Sequence, residues 1–310
     1  MTTAPARTAI AVEPSGTRRW LEGAVEAGGG EVVPTADAGA LVWGQHFHAP
    51  ELATLLEDHP QLAWVQLPWA GIEAQVDTVR RFADRTWTCG KGVYADPVAE
   101  HALALTLAGL RRVGAYARAH EWGKGEGRNL LGARVVVLGG GGIAESFLRL
   151  LGPFGCDVTV VRQHPAPIAG ATRVVGSDGL DAALAGADVV VLALALTPET
   201  TGILDARRLR LLAPDAWVVN VARGGHIVTD DLVAVLAEGA IGGAALDVTD
   251  PEPLPPGHPL WTEPRCIITP HTANTIDMAQ PLLLARVSEN VRRWIAGEPL
   301  IGLVDPASGY

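Results

Sequence analysis

From residue 130 onward, short apolar and β-branched runs alternate with stretches whose apolar residues recur at helical spacing. This alternation is typical of βαβ units and predicts a parallel sheet. Several runs are apolar on both faces, as strands covered by helices on both sides must be. The pattern therefore predicts a doubly wound α/β fold, and its strands are expected at 135–138, 157–161, 174–175, 189–194, 217–221, 244–248 and 266–269.

The first 95 residues carry a weaker version of the same alternation, which predicts a second, smaller α/β domain. Its strand-like runs are 8–12, 31–33, 40–43 and 63–67. After Pro97, a long helix is predicted over 98–112, and apolar residues nearly encircle it. We therefore expect this helix to be buried against a large surface, such as a second subunit. A C-terminal helix over about 281–296 is expected to fold back onto the first domain.

The composition is that of a compactly folded protein, because 48% of the 310 residues are hydrophobic and only 19% are charged. The 34 Asp and Glu residues outnumber the 24 Lys and Arg residues, which gives a net charge of −10. This balance argues against a generic nucleic-acid or anionic-membrane surface. The longest purely apolar run, 189–196, is far shorter than the roughly 20 residues of a membrane span.

No targeting or metal-binding signal stands out. The first apolar run, 8–12, is shorter than the core of a signal peptide, and Cys89, Cys156 and Cys266 form no C-x-x-C pattern. We therefore expect a cytoplasmic protein. His46-Phe47-His48 places two histidines at alternate positions, but no third ligand cluster follows, so no metal site is predicted.

A glycine-rich segment, Gly139-Gly140-Gly141-Gly142-Ile143-Ala144, directly follows one predicted strand and opens a helix. In this context Gly139 and Gly141 allow a tight turn and a close approach of the backbone to a pyrophosphate. Ala144 permits close helix packing, and the helix N-terminus offers free N–H groups to the anion. The segment predicts dinucleotide binding.

The residue at the end of the next strand bears on which dinucleotide is bound. A carboxylate here hydrogen-bonds the ribose 2′-hydroxyl of NAD. This chain instead has Arg162, followed by Gln163 and His164. A guanidinium pairs with a 2′-phosphate that a carboxylate would repel, so Arg162 favours NADP(H), with NAD as the alternative if the side chain only stacks on the adenine.

Three later segments each follow a predicted buried strand. They contain Arg223 in Asn220-Val221-Ala222-Arg223-Gly224-Gly225, Glu252 in Asp250-Pro251-Glu252-Pro253, and His271 in Thr269-Pro270-His271-Thr272. Ligands of open α/β sheets lie beyond the carboxyl ends of the strands, so these three side chains are expected at one edge.

The combination of the glycine segment, N-V-A-R-G-G, D-V-x-x-P-E-P-L-P-P and T-P-H resembles the D-isomer-specific 2-hydroxyacid dehydrogenases, and within them the glyoxylate/hydroxypyruvate reductase branch. The resemblance implies a Rossmann-like cofactor domain at 98–272. That domain is inserted into a flavodoxin-like substrate domain made of 1–97 and 273–310. It also implies an active site in the cleft between them and a homodimer built through the cofactor domain.

For the reaction, the resemblance implies reduction of a small 2-keto acid to a D-2-hydroxy acid by hydride transfer from the nicotinamide. His271 would donate the proton to the carbonyl oxygen, and Glu252 beside it would favour the imidazolium form. Arg223 would bind the substrate carboxylate and polarise the carbonyl. The matched positions imply substrate contacts from Trp69, Ala70, Gly71, Arg223 and His271.

Cofactor contacts are implied by the same matches, and Asp247 is implied to lie near the nicotinamide and to tune His271. The implied cofactor-binding residues are Gly139, Gly141, Gly142, Ile143, Ala144, Arg162, Ala195, Leu196, Pro198, Thr201, Val221, Ala222, Arg223, Asp247, His271 and Ala273. The histidines at 101, 226 and 258 are interpreted as structural or loop residues.

Two other functions stay open on the sequence alone. One is an NAD-linked dehydrogenase of the same family with another substrate, such as phosphoglycerate, although the first domain has no obvious basic cluster. The other is a dinucleotide-sensing protein similar to the transcriptional corepressors on this fold. Formate dehydrogenases are disfavoured, because they carry glutamine where this chain has Glu252.

Overall fold

The computed structural model of the chain describes residues 6–16, 18–45 and 49–307, so the His46-Phe47-His48 segment lies outside the described residues. The chain divides into two compact units. One runs up to Tyr94 and resumes at Ile276, and the other is Ala95–Thr275. The assignment of substrate and cofactor roles to these units stays a prediction. Within the described ranges, no helix has the length and apolar character needed to cross a membrane.

The N-terminal part of the discontinuous unit contains a parallel sheet of five strands in the order β2-β1-β3-β4-β5. This is the order of flavodoxin-like folds. Its strands are β1 Ala9–Glu13, β2 Glu31–Val32, β3 Ala40–Trp43, β4 Trp64–Gln66 and β5 Thr86–Thr88, and its first three helices are α1 Trp20–Ala27, α2 Ala49–Asp58 and α3 Val76–Arg81.

The continuous unit contains a parallel sheet of seven strands in the order β12-β11-β10-β9-β6-β7-β8. Its strands are β6 Arg134–Leu138, β7 Asp157–Val161, β8 Arg173–Val175, β9 Val189–Leu192, β10 Trp217–Asn220, β11 Gly243–Leu246 and β12 Cys266–Ile268. Its helices are α4 Ala95–Leu110, α5 Val113–Ala117, α6 Gly142–Leu151, α7 Leu180–Leu184, α8 Ala206–Leu209 and α9 Thr229–Ala237.

The predicted doubly wound architecture of two α/β domains is confirmed by the structure. In the seven-stranded sheet, the chain builds outward from β6 through β7 to β8, then returns to β9 on the other side of β6 and continues to β12. The strand order therefore reverses between β6 and β9, which is the switch point where doubly wound sheets bind nucleotides. The central strands β9 and β10 are buried along their whole length, as the apolar residues 189–192 and 217–219 predict.

The long apolar helix α4 is covered on one side by its own unit, since it packs on α6, β10 and β11. Val98, Ala99, Ala102 and Leu105 lie on this buried side. The opposite side, which includes Ala104, keeps partial or full exposure. Much of the apolar surface of α4 is therefore accounted for within one chain, and the second subunit stays a prediction.

The C-terminal helix α10, Ile276–Ala296, belongs to the discontinuous unit and packs on α1, as expected. It starts five residues before the predicted 281, because Pro281 lies inside the helix instead of opening it. A proline in the second turn removes one N–H bond without ending the helix when packing holds the rest. That packing comes from Leu283, Val287 and Val291, which join β1 and β3 in one buried cluster.

Candidate active site

The glycine-rich segment forms the turn between β6 and α6, at the switch point. Gly139 has φ of +106°, and a Cβ there would overlap the backbone carbonyl of Ala193, so a side chain is excluded. A Cβ at Gly141 would have no atom within 4 Å, so open space lies beside this residue. No side chain caps the start of α6, and Ala144 is fully buried. The turn thus fits a pyrophosphate, with uncapped N–H groups facing open space.

Arg162 lies against this turn. A Cβ built on Gly140 would be 2.8 Å from Arg162 Cδ and 3.0 Å from its Nε, so the arginine side chain runs along the glycine backbone. No described carboxylate pairs with its guanidinium. A permanent positive charge therefore stands next to the turn that fits the pyrophosphate, where the 2′-phosphate of NADP would need a partner.

The loop after β9 contains the predicted cofactor residues Ala195, Leu196, Pro198 and Thr201. It is closed by its own hydroxyl groups: Thr200 Oγ1 donates to the Ala195 carbonyl at 2.8 Å, and Thr201 Oγ1 donates to the Thr197 carbonyl at 2.9 Å. Since β9 lies between β6 and β10, this loop stands beside the glycine turn on one side and the Arg223 turn on the other.

His226 joins this loop to the Arg223 turn. Its side chain is fully buried, with Nδ1 3.1 Å from the Thr200 carbonyl oxygen and Nε2 3.3 Å from the Leu194 carbonyl oxygen. Burial is the main reason that the pKa of His226 is lowered from its ordinary value. The residue belongs to a 3₁₀ turn, Gly224–His226, and fixes two loops to each other.

Arg223 follows β10, and the fully buried Asn220 shapes its turn. Asn220 Oδ1 accepts from Ala222 N at 3.0 Å, while its Nδ2 donates to the Arg223 carbonyl at 2.9 Å. At Gly224, a Cβ would overlap the carbonyl of Thr249, so this turn packs directly on the segment after β11. Arg223 and the Glu252 segment are thereby held together.

Glu252 and His271 form a hydrogen-bonded pair at the carboxyl ends of β11 and β12. Glu252 Oε1 lies 2.6 Å from His271 Nδ1, and both side chains are about half exposed. Glu252 Oε2 accepts from Thr249 N at 3.4 Å. Because the carboxylate occupies Nδ1, the Nε2 atom of His271 is the nitrogen left for proton exchange with another molecule.

The backbone of His271 is in the left-handed region, with φ of +51°, which is uncommon for a residue other than glycine. Asp247 surrounds this residue with hydrogen bonds. Its carbonyl accepts from His271 N at 2.8 Å, and its carboxylate accepts from Thr272 N at 2.9 Å and Ala273 N at 3.0 Å. The Asp247 carboxylate therefore acts on the loop backbone, and it makes no hydrogen bond to the His271 ring.

Asp247 is 2% exposed and has two further partners. Its Oδ1 accepts from Thr269 Oγ1 at 2.5 Å and lies 3.4 Å from His101 Nε2. Burial alone would raise the pKa of the Asp247 carboxyl, but the hydrogen bonds from His101, Thr269, Thr272 and Ala273 together lower it below its ordinary value. The Asp247 carboxylate is ionised, and the hydrogen bonds that it accepts hold the His271 loop in place.

We expect Asp247→Asn to destabilise the protein at neutral pH by about 1 to 3 kcal/mol, because an amide cannot replace a charge-assisted acceptor of several hydrogen bonds. A carboxyl with a lowered pKa stabilises the fold above its unfolded-state pKa, and this stabilisation is lost as the pH falls through the folded-state value. The difference between wild type and variant should therefore shrink on acidification below about pH 4. Urea unfolding across this pH range measures it.

The matched control is Asp178→Asn, because Asp178 is exposed and accepts no described hydrogen bond. It should leave the unfolding free energy nearly unchanged. If Asp247→Asn lowered the free energy of unfolding by the same amount at low pH as at neutral pH, the stabilisation would not come from the charge of the carboxylate.

Trp69, Ala70 and Gly71 lie in the discontinuous unit, in the segment that follows β4. Gly90 N donates to the Trp69 carbonyl at 2.9 Å, and Tyr94 Oη donates to the Pro68 carbonyl at 2.6 Å, so neighbouring segments fix the loop. Within the described part of the chain, the N–H groups of Ala70 and Gly71 meet no protein acceptor. They are available to an anion.

A comparison with protein families agrees with this geometry. The NAD-binding domain of the D-isomer-specific 2-hydroxyacid dehydrogenases matches residues 101–273, more than half of the chain. The chain belongs to this family. It is accordingly an NAD(P)-dependent oxidoreductase, as the sequence motifs predict.

Individual members of the family are similar along most of their length. An uncharacterized protein of Corynebacterium melassecola is 40% identical over 84% of this chain and 87% of its own. Glyoxylate/hydroxypyruvate reductase A of Serratia proteamaculans is 35% identical over 70% of this chain and 69% of its own. The structure of an NADPH-dependent glyoxylate/hydroxypyruvate reductase of Sinorhizobium meliloti, solved with NADP and sulfate, superposes with a TM-score of 0.81 at 28% identity, covering 97% of this chain and 99% of that one.

The sequence indicates a structural role for His101 without its partners, and it misses the burial of His226. His101 lies 3.0 Å from Thr269 Oγ1 and beside Asp247, and His226 is buried between two carbonyl groups. A lone histidine has no periodic signal, and its partners lie far along the chain. The residues of the described ranges contain no group of three His, Cys, Asp or Glu side chains suited to a metal ion.

Proposed function

We propose that the protein reduces small 2-keto acids of the glyoxylate and hydroxypyruvate type to D-2-hydroxy acids, with NADPH as its preferred cofactor. The observation that carries the proposal is the His271–Glu252 pair, 2.6 Å apart at the carboxyl edge of the sheet that also bears the glycine turn. The names of the curated relatives and the NADP bound by the Sinorhizobium enzyme support the substrate class and the cofactor.

For the cofactor, we assign the pyrophosphate to Gly139, Gly141, Gly142, Ile143 and Ala144 and the 2′-phosphate to Arg162. The loop of Ala195, Leu196, Pro198 and Thr201 and the turn of Val221, Ala222 and Arg223 would flank the rest of the dinucleotide. Asp247, His271 and Ala273 would stand near the nicotinamide. When bound, the nicotinamide supplies the hydride for the carbonyl carbon.

Arg223 binds the carboxylate of the substrate in this proposal, since a planar guanidinium is suited to pairing with a carboxylate. Its Nη1 also donates to the Ala222 carbonyl at 2.7 Å, which fixes the side chain on its own turn. The N–H groups of Ala70 and Gly71 are proposed as further donors, with Trp69 beside them. Positive charge next to the carbonyl stabilises the negative charge that develops on its oxygen during reduction.

His271 donates its Nε2 proton to that oxygen as the hydroxyl group forms. Glu252 holds the proton on Nδ1 throughout, so that the ring alternates between the imidazolium and a neutral form with a fixed tautomer. The Asp247 bonds keep the loop that carries His271 in its left-handed conformation. The histidine is thereby positioned before the substrate arrives.

The test is a steady-state assay of purified protein with glyoxylate, hydroxypyruvate and other 2-keto acids, each with NADPH and with NADH. The proposal expects reduction of the two named acids and a higher kcat/KM with NADPH. Equal efficiency with NADH would remove the cofactor preference. Tight NADPH binding without any oxidation across the acids would favour a dinucleotide-sensing protein instead.

We also propose a homodimer built through the unit that contains the glycine turn. Four large apolar side chains of this unit, Val113, Tyr116, Trp122 and Leu131, are exposed shortly after α4, and Trp122 is fully exposed. Exposed large apolar groups of this kind are typical of an interface. The cytoplasmic location and the absence of nucleic-acid and membrane partners stay predictions.

We expect Trp122→Ser to weaken this dimer by at least about tenfold in its dissociation constant, since a buried tryptophan is a frequent interface hot spot. Sedimentation velocity over a range of protein concentrations measures the effect. Trp261→Ser, at another exposed tryptophan of the same unit, is the matched control and should not change association. A monomeric wild type at all concentrations would refute the dimer.

A further inference from the structure

A second guanidinium lies at the carboxyl edge of the five-stranded sheet. Arg18 follows β1, is partly buried, and stacks on the ring of Trp69, with its Cζ 5.2 Å from the ring centroid. The centroid of the Trp20 ring lies 5.8 Å from the same Cζ. Aromatic faces stabilise a guanidinium and fix its plane, but they leave its N–H groups without acceptors.

Arg18 lacks the partner that most partly buried arginines of this chain have. Among the described residues, no carboxylate and no hydrogen-bond acceptor contacts its guanidinium. For comparison, Arg208 and Arg293 are each paired with a carboxylate at 2.9 Å or less. Burial lowers the pKa of Arg18, but the group remains charged at neutral pH. A partly buried cation without an acceptor among the described residues is suited to bind an anion.

Arg286 is a second positively charged group whose charge, like that of Arg18, acts on the Tyr94 hydroxyl. Arg286 is also partly buried, and its Nη1 donates only to backbone carbonyls, those of Cys89 at 3.3 Å and Lys91 at 3.0 Å. The ring of Tyr94 packs on Trp69 at 5.6 Å, and burial raises the pKa of its hydroxyl, so that it stays neutral. Glu73 is the acidic group whose charge acts on nearby Cys89. The charges of Arg18 and Arg286 thus both act on the Tyr94 hydroxyl, whose ring packs on Trp69.

Arg18 contacts Trp69, which belongs to the segment that the proposed function assigns to substrate binding. Trp69 directly precedes Ala70 and Gly71, whose N–H groups are open to an anion. In the proposed mechanism those two groups and Arg223 bind the 2-carboxylate. Arg18 is therefore left for a different negative charge on the same substrate.

We propose that Arg18 binds a second anionic group of the substrate, so that the enzyme favours 2-keto acids carrying a carboxylate or a phosphate ester at the far end over uncharged analogues of the same length. This inference rests on the proposed function, because it adds a second anionic group to the 2-keto acid that the proposed function assigns as substrate. Arg18 is then a residue that determines substrate specificity, and the reaction at the keto carbon is unchanged.

The test compares substrates matched in length. Oxaloacetate and 2-ketobutyrate both have four carbons, and only the first has a second carboxylate; 3-phosphohydroxypyruvate supplies the phosphate form. Arg18→Met keeps an apolar side chain on Trp69 and removes the charge. We expect it to lower kcat/KM for the dianionic substrate by about 10- to 100-fold, as for the loss of a charged hydrogen bond, with little change for 2-ketobutyrate and glyoxylate.

The controls are Arg19→Met and Arg18→Lys. Arg19 is adjacent and exposed, so its loss should affect neither class of substrate. Arg18→Lys retains the charge and should recover part of the preference for the dianion. Whichever of oxaloacetate and 3-phosphohydroxypyruvate loses more in Arg18→Met identifies the terminal group.

A binding measurement separates this inference from the proposed function. Calorimetric titration of the NADPH-saturated protein with succinate and with butyrate needs no turnover, and succinate should bind more tightly in wild type but not in Arg18→Met. If wild type reduces no 2-keto acid yet shows this difference, the proposed function fails and the anion site stands. Equal losses for glyoxylate and oxaloacetate, weakened NADPH binding in Arg18→Met, or no difference between succinate and butyrate would each overturn the inference.

Discussion

Replacing His271 with asparagine is expected to lower kcat for keto-acid reduction by about 10²- to 10⁴-fold, the usual contribution of a positioned general acid. Asparagine can accept the same backbone geometry in the left-handed region, but its amide cannot release a proton at useful pH. The glycine turn and Arg162 are untouched by the change. NADPH affinity, measured by fluorescence titration, should therefore remain close to that of wild type.

The matched control is His120→Asn, since His120 is an exposed histidine of the same unit. It should leave kcat unchanged. Normal turnover in His271→Asn would defeat the assignment of the proton donor. A parallel loss of turnover and of NADPH binding would instead indicate that the residue acts mainly in holding the cofactor.

Arg162→Asp is expected to reverse the cofactor preference, shifting the ratio of kcat/KM for NADPH to that for NADH by about 10²- to 10³-fold. The change removes a charge-assisted bond to the 2′-phosphate, worth roughly 10- to 100-fold, and adds a carboxylate that repels this phosphate and accepts from the free 2′-hydroxyl of NADH. Initial rates with both cofactors at a saturating keto acid give the ratio.

Arg173→Asp provides the comparison, because Arg173 is an exposed arginine on the neighbouring strand β8. It alters the net charge of the unit by the same amount and should not move the ratio. If Arg162→Asp left the ratio unchanged as well, the 2′-phosphate would have to be bound by other residues.

The sequence predicts the seven-stranded unit well because its strands are short segments rich in apolar residues and the glycine turn marks the first crossover. The five-stranded unit is harder. Strand β5 is a short Thr-Trp-Thr segment with no run of apolar residues, and only its burial in the folded unit identifies it as a strand. Helix α10 is predicted to start at Pro281, because a local rule places proline at helix starts, while tertiary packing supports the five residues before it.

In the candidate site, the motif residues Arg223, Glu252 and His271 could be found from the sequence because each follows a buried strand. Their functional roles stay predictions. His226 and Arg18 could not be found in this way. The burial of His226 depends on a loop 26 residues earlier in the chain, and the environment of Arg18 depends on the ring of Trp69 from another strand end. Long-range packing of this kind leaves no periodic signal.

The cluster that joins α10 to the first sheet has a consequence for synthesis on the ribosome. Leu283, Val287 and Val291 cover Ile10 and Val42, so the earliest strands to emerge lack the helix that buries this face until nearly the whole polypeptide has been translated. The intervening unit, with its contiguous chain, completes its own core sooner. The nascent N-terminal segment therefore exposes an apolar surface during elongation. Chaperones that bind unfolded chains recognise surfaces of this kind.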